Sequence, residues 1–385
     1  MGFPNGTGAA SRMRAFAHGL REAGADVRVL ELGVVRPGNW SEVNSESHGR
    51  WRGVPFEYMS GQARGQRGWI RRRLLELRSM WRTHLAIREA ARQDRSTAVV
   101  FSGEGIRWIV LVVLACRFAR VPIVHTRGEF PFVYERTVGW PRRIWQRWYV
   151  DNVFKSFDGM VVITTYLEDY MRPRMRPGAW LMRIPILVDV NDYQSATEAT
   201  PGLVGYAATL DRPEEIEALV RSIACVARSH PEARARLMGP GSPEDLAYLS
   251  AAADAAGARD LVDAVGQVDA ADVPAALCSC AALALPRADD VFSRAGMPTK
   301  LGEYLATGRP VVVTATGDIP RYLVDGVSAF LVPPGNAEAF NVALEHALFD
   351  PAAAAIGQAG RQVARSQFDA ATQMRRLLGA IERRL

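Results

Sequence analysis

Short apolar runs rich in Val, Ile and Leu alternate along this chain with longer stretches whose apolar positions recur every three or four residues. The first pattern predicts buried strands and the second amphipathic helices. In the first half, Ser11 to Ala23 reads as a helix closed by Gly24, followed by a strand over Val27 to Leu32. Gly68 to Gln93 reads as a long basic helix, Thr97 to Phe101 as a strand and Ile106 to Phe118 as a buried helix. Strand Pro122 to His125 then leads through a basic aromatic segment to strand Gly159 to Ile163. A short helix over Thr165 to Met171 and a strand over Ala179 to Ile184 close this half.

An extended Pro-Ile-Leu-Val-Asp run and a polar stretch make Pro185 to Pro201 a linker. A second series follows, with strands at Leu203 to Tyr206, Ala233 to Met238, Leu261 to Val265, Ala281 to Leu285, Pro310 to Thr314 and Ala329 to Val332. Helices are predicted between them at Pro213 to Ser229, Pro243 to Ala256, Asp272 to Cys278 and Lys300 to Thr307. Three more, at Asn336 to Leu348, Ala352 to Gln367 and Ala371 to Arg384, form the tail. Such alternation predicts an α/β protein of two tandem Rossmann-like, doubly wound domains, residues 1–187 and 188–367, with a C-terminal helix over 368–385. Ligands of such sheets bind at the carboxyl ends of the strands, so a cleft between facing domains is the expected site. The glycine turn Pro4-Asn5-Gly6-Thr7-Gly8 should follow a first parallel strand, yet three residues precede it. Either the start is assigned late or the chain shortened, or the N-terminal sheet lacks its innermost strand.

A length of 385 residues fits two domains, and 48% hydrophobic with 23% charged residues fits a water-soluble protein. Four cysteines, Cys116, Cys225, Cys278 and Cys280, sit in apolar segments and are too few for a disulfide framework, which suits a reducing cytoplasm. Six scattered histidines include no His-x-x-x-His pair, so no metal is expected. No signal peptide is read at the N-terminus, and the longest apolar run, Trp108 to Cys116, is about half a membrane span. The formal charge of +6 is concentrated between Arg64 and Arg95 and between Arg136 and Arg147. Solvated helix faces are the plain reading of these clusters. Because Trp69, Trp81, Trp140, Trp145 and Trp148 interleave with the arginines, a surface for anionic lipid head groups or a phosphorylated acceptor is the sharper one. Nucleic acid is not expected, since no recognised module accompanies the charge.

The most informative stretch runs from Gly296 through Pro298-Thr299-Lys300-Leu301-Gly302-Glu303-Tyr304 to Gly308-Arg309-Pro310. A loop after strand Ala281 to Leu285 turns into a helix near Pro298 and Thr299, where free backbone N–H groups attract phosphate. Lys300 adds a full positive charge suited to a diphosphate. Glu303, one turn on, is placed to accept hydrogen bonds from vicinal ribose hydroxyls. The plain reading of Glu303 is an exposed helix acid, and Gly6 with Gly8 can be a turn and nothing more. Gly239-Pro240-Gly241 reads as a strand-exit turn.

The run from Pro298 to Pro310 resembles the donor-site segment of glycosyltransferase family 4, and within it the bacterial polysaccharide-assembly members with a Pro-Ser/Thr-Lys-x-x-Glu-Tyr variant. Pro4 to Arg12 resembles the family's glycine-rich acceptor-side loop, and Gly19 to Val27 the helix-to-strand step that follows. Pro185-Ile-Leu-Val-Asp189 resembles its hinge, and Asp325 to Gly335 its Asp-Gly-x-x-Gly segment with Ala329 in place of the second glycine. The resemblance covers the whole chain. It implies a GT-B fold and retaining, metal-independent transfer of a sugar from a nucleotide-diphosphate donor, with no cofactor. The acceptor is a saccharide or a lipid-linked one, in envelope or exopolysaccharide assembly at the cytoplasmic face of the membrane. Gly205, Arg212, Arg287, Pro298, Thr299, Lys300, Leu301 and Glu303 are then the donor-binding residues. Gly6, Thr7, Gly8, Arg127 and Glu129 are the acceptor-side ones, and His125, Arg212 and Lys300 are catalytic. Glu104 and Arg107 are weaker candidates after the preceding strand.

The chain departs from the family in two places. The first acid of the Glu-x7-Glu pattern falls on Ala295, which leaves Asp289 or Asp290 to replace it. After the first donor-domain strand only Arg212 is present and the usual lysine is missing, a loss that Lys300 can offset. These departures keep two alternatives open, a decayed binding or regulatory module and a nucleotide-sugar epimerase.

Overall fold

Residues 2–5, 8–33, 44–64, 68–103, 105–130, 139–194 and 197–384 are described by the structure, a computed structural model. The chain divides into two compact units, Met1–Leu187 with Ala370–Leu385, and Val188–Asp369.

The first unit carries β1 (Val29–Glu31), β2 (His48–Trp51), β3 (Val54–Tyr58), β4 (Val99–Phe101), β5 (Ile123–Arg127), β6 (Gly159–Val162) and β7 (Trp180–Arg183). Its helices are α1 (Gly8–Glu22), α2 (Trp69–Gln93), α3 (Ile106–Ala119), α4 (Trp140–Asn152) and α5 (Thr165–Met171). Strands β4 to β7 form one parallel sheet in chain order, with His125 beside Met160 in the β5–β6 register. The remaining strands form a separate sheet of order β1-β3-β2, so among the described residues β1 and β4 are each paired on one side only. Residues 2–5 make no ladder there. Phe3 instead packs into a cluster with Phe56, Tyr58 and Ala63, and its carbonyl accepts the Tyr58 hydroxyl at 2.9 Å.

The main core of this unit joins Phe16 and Leu20 of α1 to Val124 and Val161 of the sheet. Met374, Leu377 and Ile381 complete it from the C-terminal helix Ala370–Glu382, each side chain contributing roughly 1.5–3 kcal/mol by leaving water. A Cβ at Gly19 would stand 2.7 Å from the Ala370 carbonyl oxygen, so glycine is what lets α1 and this helix approach.

The second unit carries β8 (Thr200–Ala207), β9 (Arg234–Met238), β10 (Val262–Gly266), β11 (Cys280–Leu285), β12 (Val311–Thr314) and β13 (Phe330–Val332). All pair in parallel, in the order β10-β9-β8-β11-β12-β13. Counted from β8 this is the order 3-2-1-4-5-6 of a doubly wound nucleotide-binding sheet. The connecting helices are α6 (Pro213–Val226), α7 (Pro243–Ala255), α8 (Val273–Cys278), α9 (Val291–Ala295) and α10 (Thr299–Ala306). After them come α11 (Ile319–Tyr322), α12 (Ala337–Phe349) and α13 (Ala353–Val363). Strands β11 and β12 are buried along almost their whole length, as is β8 from Gly202 to Tyr206, which is why they read as continuous apolar runs.

Three details differ from the pattern-based expectation. The hairpin β2–β3 was not foreseen: its strands are joined by Arg52 and Gly53, both at positive φ (45° and 80°), and β2 pairs antiparallel to β3. That is the geometry of a two-residue primed turn, which Asn-Gly signals far more clearly than Arg-Gly. The helix expected over Ala352 to Gln367 ends at Val363 and widens into a π turn over Ala364–Phe368. Among the described residues the N-terminal strands form two sheets rather than one.

Candidate functional site

The strand order of the second unit reverses between β8 and β11, and ligands of doubly wound sheets bind beyond the carboxyl ends of such strands. Arg212 closes the β8–α6 loop, Arg287 follows β11 by two residues, and Lys300 stands in the first turn of α10. These three cations share one buried carboxylate, Glu215 in the first turn of α6. Glu215 Oε2 accepts the Tyr206 hydroxyl at 3.1 Å, and Oε1 lies 3.8 Å from Arg212 Nη1 with no hydrogen bond of its own. Burial raises the Glu215 carboxyl above its ordinary value, while Arg287 and then Arg212 pull it back. Burial lowers the Lys300 ammonium, against which Glu303 and Glu215 act. Burial likewise lowers Arg287, whose Nη2 donates to Ser293 Oγ at 3.1 Å while its buried Nε has no acceptor. Four charged groups from three separate segments therefore sense one another at the switch point.

Helix α10 begins at Pro298 with extended backbone and no side-chain cap, so the Thr299 and Lys300 amides lack an acceptor within the helix, while that of Leu301 donates to the Pro298 carbonyl at 3.0 Å. Glu303 lies one turn along, close enough to Tyr193 to raise that hydroxyl further after burial has done most of the work. Tyr304 on the inner face reaches β8, where its hydroxyl accepts the Ala207 amide at 2.6 Å. The loop that carries Arg212 and the helix that carries Lys300 are thus fixed to one another. The adjacent turn is equally close: a Cβ at Gly239 would stand 1.8 Å from the Ala208 carbonyl oxygen.

The structure brings Arg212, Arg287, Lys300, Glu303 and the Pro298–Thr299 turn to one rim. Leu301 and Gly205 fall elsewhere. Leu301 is wholly buried beneath the helix. Gly205 lies inside β8, and a Cβ there would meet Cys280 Sγ at 2.6 Å, so it makes room for sheet packing rather than for a ligand. Both acids proposed to replace Ala295 are engaged, and Asp290 also acts on Arg287. Asp290 caps α9 by accepting the Ser293 amide at 2.8 Å, and Asp289 forms a two-pronged pair with Arg294 at 2.9 and 2.8 Å. Glu215, Tyr206 and Tyr304 were missed by sequence reasoning; the signal for Glu215 was its position three residues after Arg212.

In the first unit His125 is enclosed by aromatic rings. Its side chain is 1% exposed, ringed by Phe101, Phe154 and Phe157, with Nε2 3.1 Å from the Gly103 carbonyl oxygen. Burial first, then the charge of Arg127, lower its pKa to about 3. The ring is therefore neutral at ordinary pH and has almost no exposed edge. Arg127 is also buried, with its guanidinium 5.2 Å from the Phe154 ring centre, whereas Glu129 is exposed. Arg12 of α1 holds the end of the same sheet, donating to the carbonyls of Pro185 and Ile184 at 3.1 and 3.3 Å. Gly8 is the first residue of α1, and Gly6, Thr7 and Glu104 lie outside the described residues. Arg107 pairs with Glu76 at 3.2 Å.

Among the described residues no group of three His, Cys, Asp or Glu side chains could hold a metal ion, and no helix is long and apolar enough to cross a membrane. Residues 7–186 match the family model described as a Glycosyl transferase 4-like domain, and residues 201–350 match Glycosyl transferases group 1. Sucrose-phosphate synthase from Thermosynechococcus elongatus is 18% identical at a TM-score of 0.69, over 98% of this chain and 93% of that one. HepE of Anabaena, solved with UDP and glucose, is 17% identical at 0.69, over 100% and 98%. A glycosyltransferase from Rickettsia africae is 12% identical at 0.64, over 95% and 94%. At these identities the likeness carries the fold, two Rossmann-like domains of the GT-B kind. No curated protein sequence matches the chain.

Proposed function

Starting from a glycosyltransferase with the GT-B fold, we propose that this chain moves a sugar from a nucleoside-diphosphate donor with retention of configuration and without a metal ion. The proposed acceptor is a saccharide or a lipid-linked saccharide in bacterial envelope or exopolysaccharide assembly, on the cytoplasmic side of the membrane. One observation carries the reading: Arg212, Arg287, Lys300 and the uncapped start of α10 converge at the switch point of the second sheet.

As the bond between the anomeric carbon and the phosphate oxygen breaks, charge accumulates on the departing diphosphate. Donors already aimed at that position stabilise it without reorganising, and each one removed costs about 10²–10³ in rate. Arg212, Arg287 and Lys300 supply full charges, and the amides of Thr299 and Lys300 add the partial charge of the helix end. Glu215 holds these cations together in the absence of donor. Glu303 accepts hydrogen bonds from the ribose hydroxyls. On the acceptor side, exposed Glu129 stays the candidate, and His125 takes no part.

A thermal-shift panel of UDP-, GDP- and TDP-sugars tests the reading. Binding to the native state raises Tm by mass action, and one nucleotide series is expected to do so. No shift with any of them contradicts it.

A second reading, a binding module with a decayed site, is favoured by Ala295, which is buried where the family places an acid, and by the engagement of Asp289 and Asp290. It predicts nucleotide binding with neither transfer nor hydrolysis of any donor.

A further inference from the structure

Helix α2 is amphipathic in the wrong direction for a helix that only covers a sheet. Its inward face is Ser79, Thr83 and Ile87, and Ser79 Oγ donates to the Leu32 carbonyl at 2.7 Å. Its apolar side chains Ile70, Leu74, Leu77, Trp81 and Leu85 are instead exposed, Trp81 by 65%. Their spacing of four, three, four and four residues makes one stripe, and at 100° per residue the stripe lies about half a turn from the inward face. Helix α3, tied to α2 by the Arg107–Glu76 pair at 3.2 Å, repeats the arrangement. It buries Ile109, Val112, Ala115 and Cys116 and exposes Val110, Leu114 and Phe118 at four-residue spacing. Trp140, Ile144 and Trp148 form a third exposed run on α4. Contiguous apolar surface of this kind marks an interaction site.

Charge identifies what covers it. Helix α2 carries seven arginines against Glu76 and Glu89. Arg71 and Arg78 flank the stripe, and Arg88 and Arg92 continue its line beyond Leu85. A second copy seated on the same face in a two-fold contact would set these arginines against their own counterparts. An anionic bilayer satisfies both halves of the surface. Trp and Leu enter the head-group boundary, and arginines meet lipid phosphates above it.

We propose that the first unit docks on an anionic membrane through the outward stripe of α2, with the stripe of α3 beside it. The docking is independent of the donor-site reading, so either stands if the other fails.

Co-sedimentation of the full chain with vesicles of phosphatidylcholine alone, and of phosphatidylcholine mixed with phosphatidylglycerol, tests it. Binding is expected only to the mixed vesicles. The double change Leu74→Glu with Trp81→Glu should reduce it at least tenfold, and Arg71→Glu with Arg78→Glu by about tenfold or more, with a smaller salt dependence. Circular dichroism and nucleotide binding should be unchanged in both, which separates lost docking from lost folding. Equal binding to neutral vesicles, binding that the Leu74 and Trp81 changes leave intact, or no binding at all overturns the proposal. So does lipid-free dimerisation that the same two changes abolish, since a second copy would then be the occupant.

Discussion

The Tyr304 hydroxyl, on the inner face of α10, accepts the Ala207 amide at 2.6 Å and so joins that helix to the end of β8. The Tyr304 side chain is fully buried, and the bond binds together the two segments that carry Lys300 and Arg212. Tyr304→Phe leaves the amide without its partner, a loss of about 1–3 kcal/mol in stability. Urea unfolding should show that decrease, with nucleotide affinity falling as well because the two cations are no longer held in register. Unchanged affinity in a destabilised variant would reduce Tyr304 to packing.

Glu215 is predicted to matter most when no donor is bound. Its carboxylate is the shared counter-charge of Arg212, Arg287 and Lys300, and Glu215→Gln leaves those cations facing each other. The variant should melt below the wild type by itself yet gain a larger Tm increase from nucleotide, whose phosphates restore the missing charge. Equal nucleotide-induced shifts in the two proteins would contradict this.

His125 makes a pH prediction with a definite sign. Its pKa falls from 6.5 to about 3 on folding, so the unfolded chain binds the proton first as pH drops. The stability due to the neutral ring is complete above 6.5 and is lost as pH falls from there towards 3. The slope from one such group is about 1.4 kcal/mol per pH unit. Urea midpoints measured between neutral and mildly acid pH should fall in the wild type and fall less in His125→Gln. That variant should also keep transfer activity at neutral pH; full stability with abolished turnover would return His125 to the reaction.

Asp290 is predicted to act as a helix cap. Asp290→Ala should cost about 1 kcal/mol, as N-caps do, and leave donor turnover nearly intact. A loss of several hundredfold in kcat with little change in stability would make Asp290 the substitute for the missing acid at position 295.

Local pattern made most of the architecture legible. Strands such as Val311–Thr314 are bounded by Gly and Pro and apolar on both faces, and α10 announces itself through Pro298 and Gly308. The donor rim was legible as far as its charges lie in one stretch, Pro298 to Glu303. What stayed hidden depends on the third dimension. Glu215 looks like one of two ordinary acids after Pro213 until folding buries it between Arg212 and Arg287. His125 and Glu129 looked alike as polar residues after a strand, yet packing seals one beneath three phenylalanines and leaves the other in solvent. The outward stripe of α2 was visible as arginines among tryptophans, but which side faces the protein was decided by Ser79 and Thr83, two residues no hydrophobicity scale would choose.

Calorimetric titration of the full chain with UDP, GDP and TDP, repeated on Lys300→Ala and Arg287→Ala, tests the account at its centre. Saturable binding of at least one nucleotide is predicted, weakened about 10- to 100-fold by each change, the loss for one charge-assisted hydrogen bond. Nucleotide binding that both variants retain in full, or none in the wild type, would contradict it.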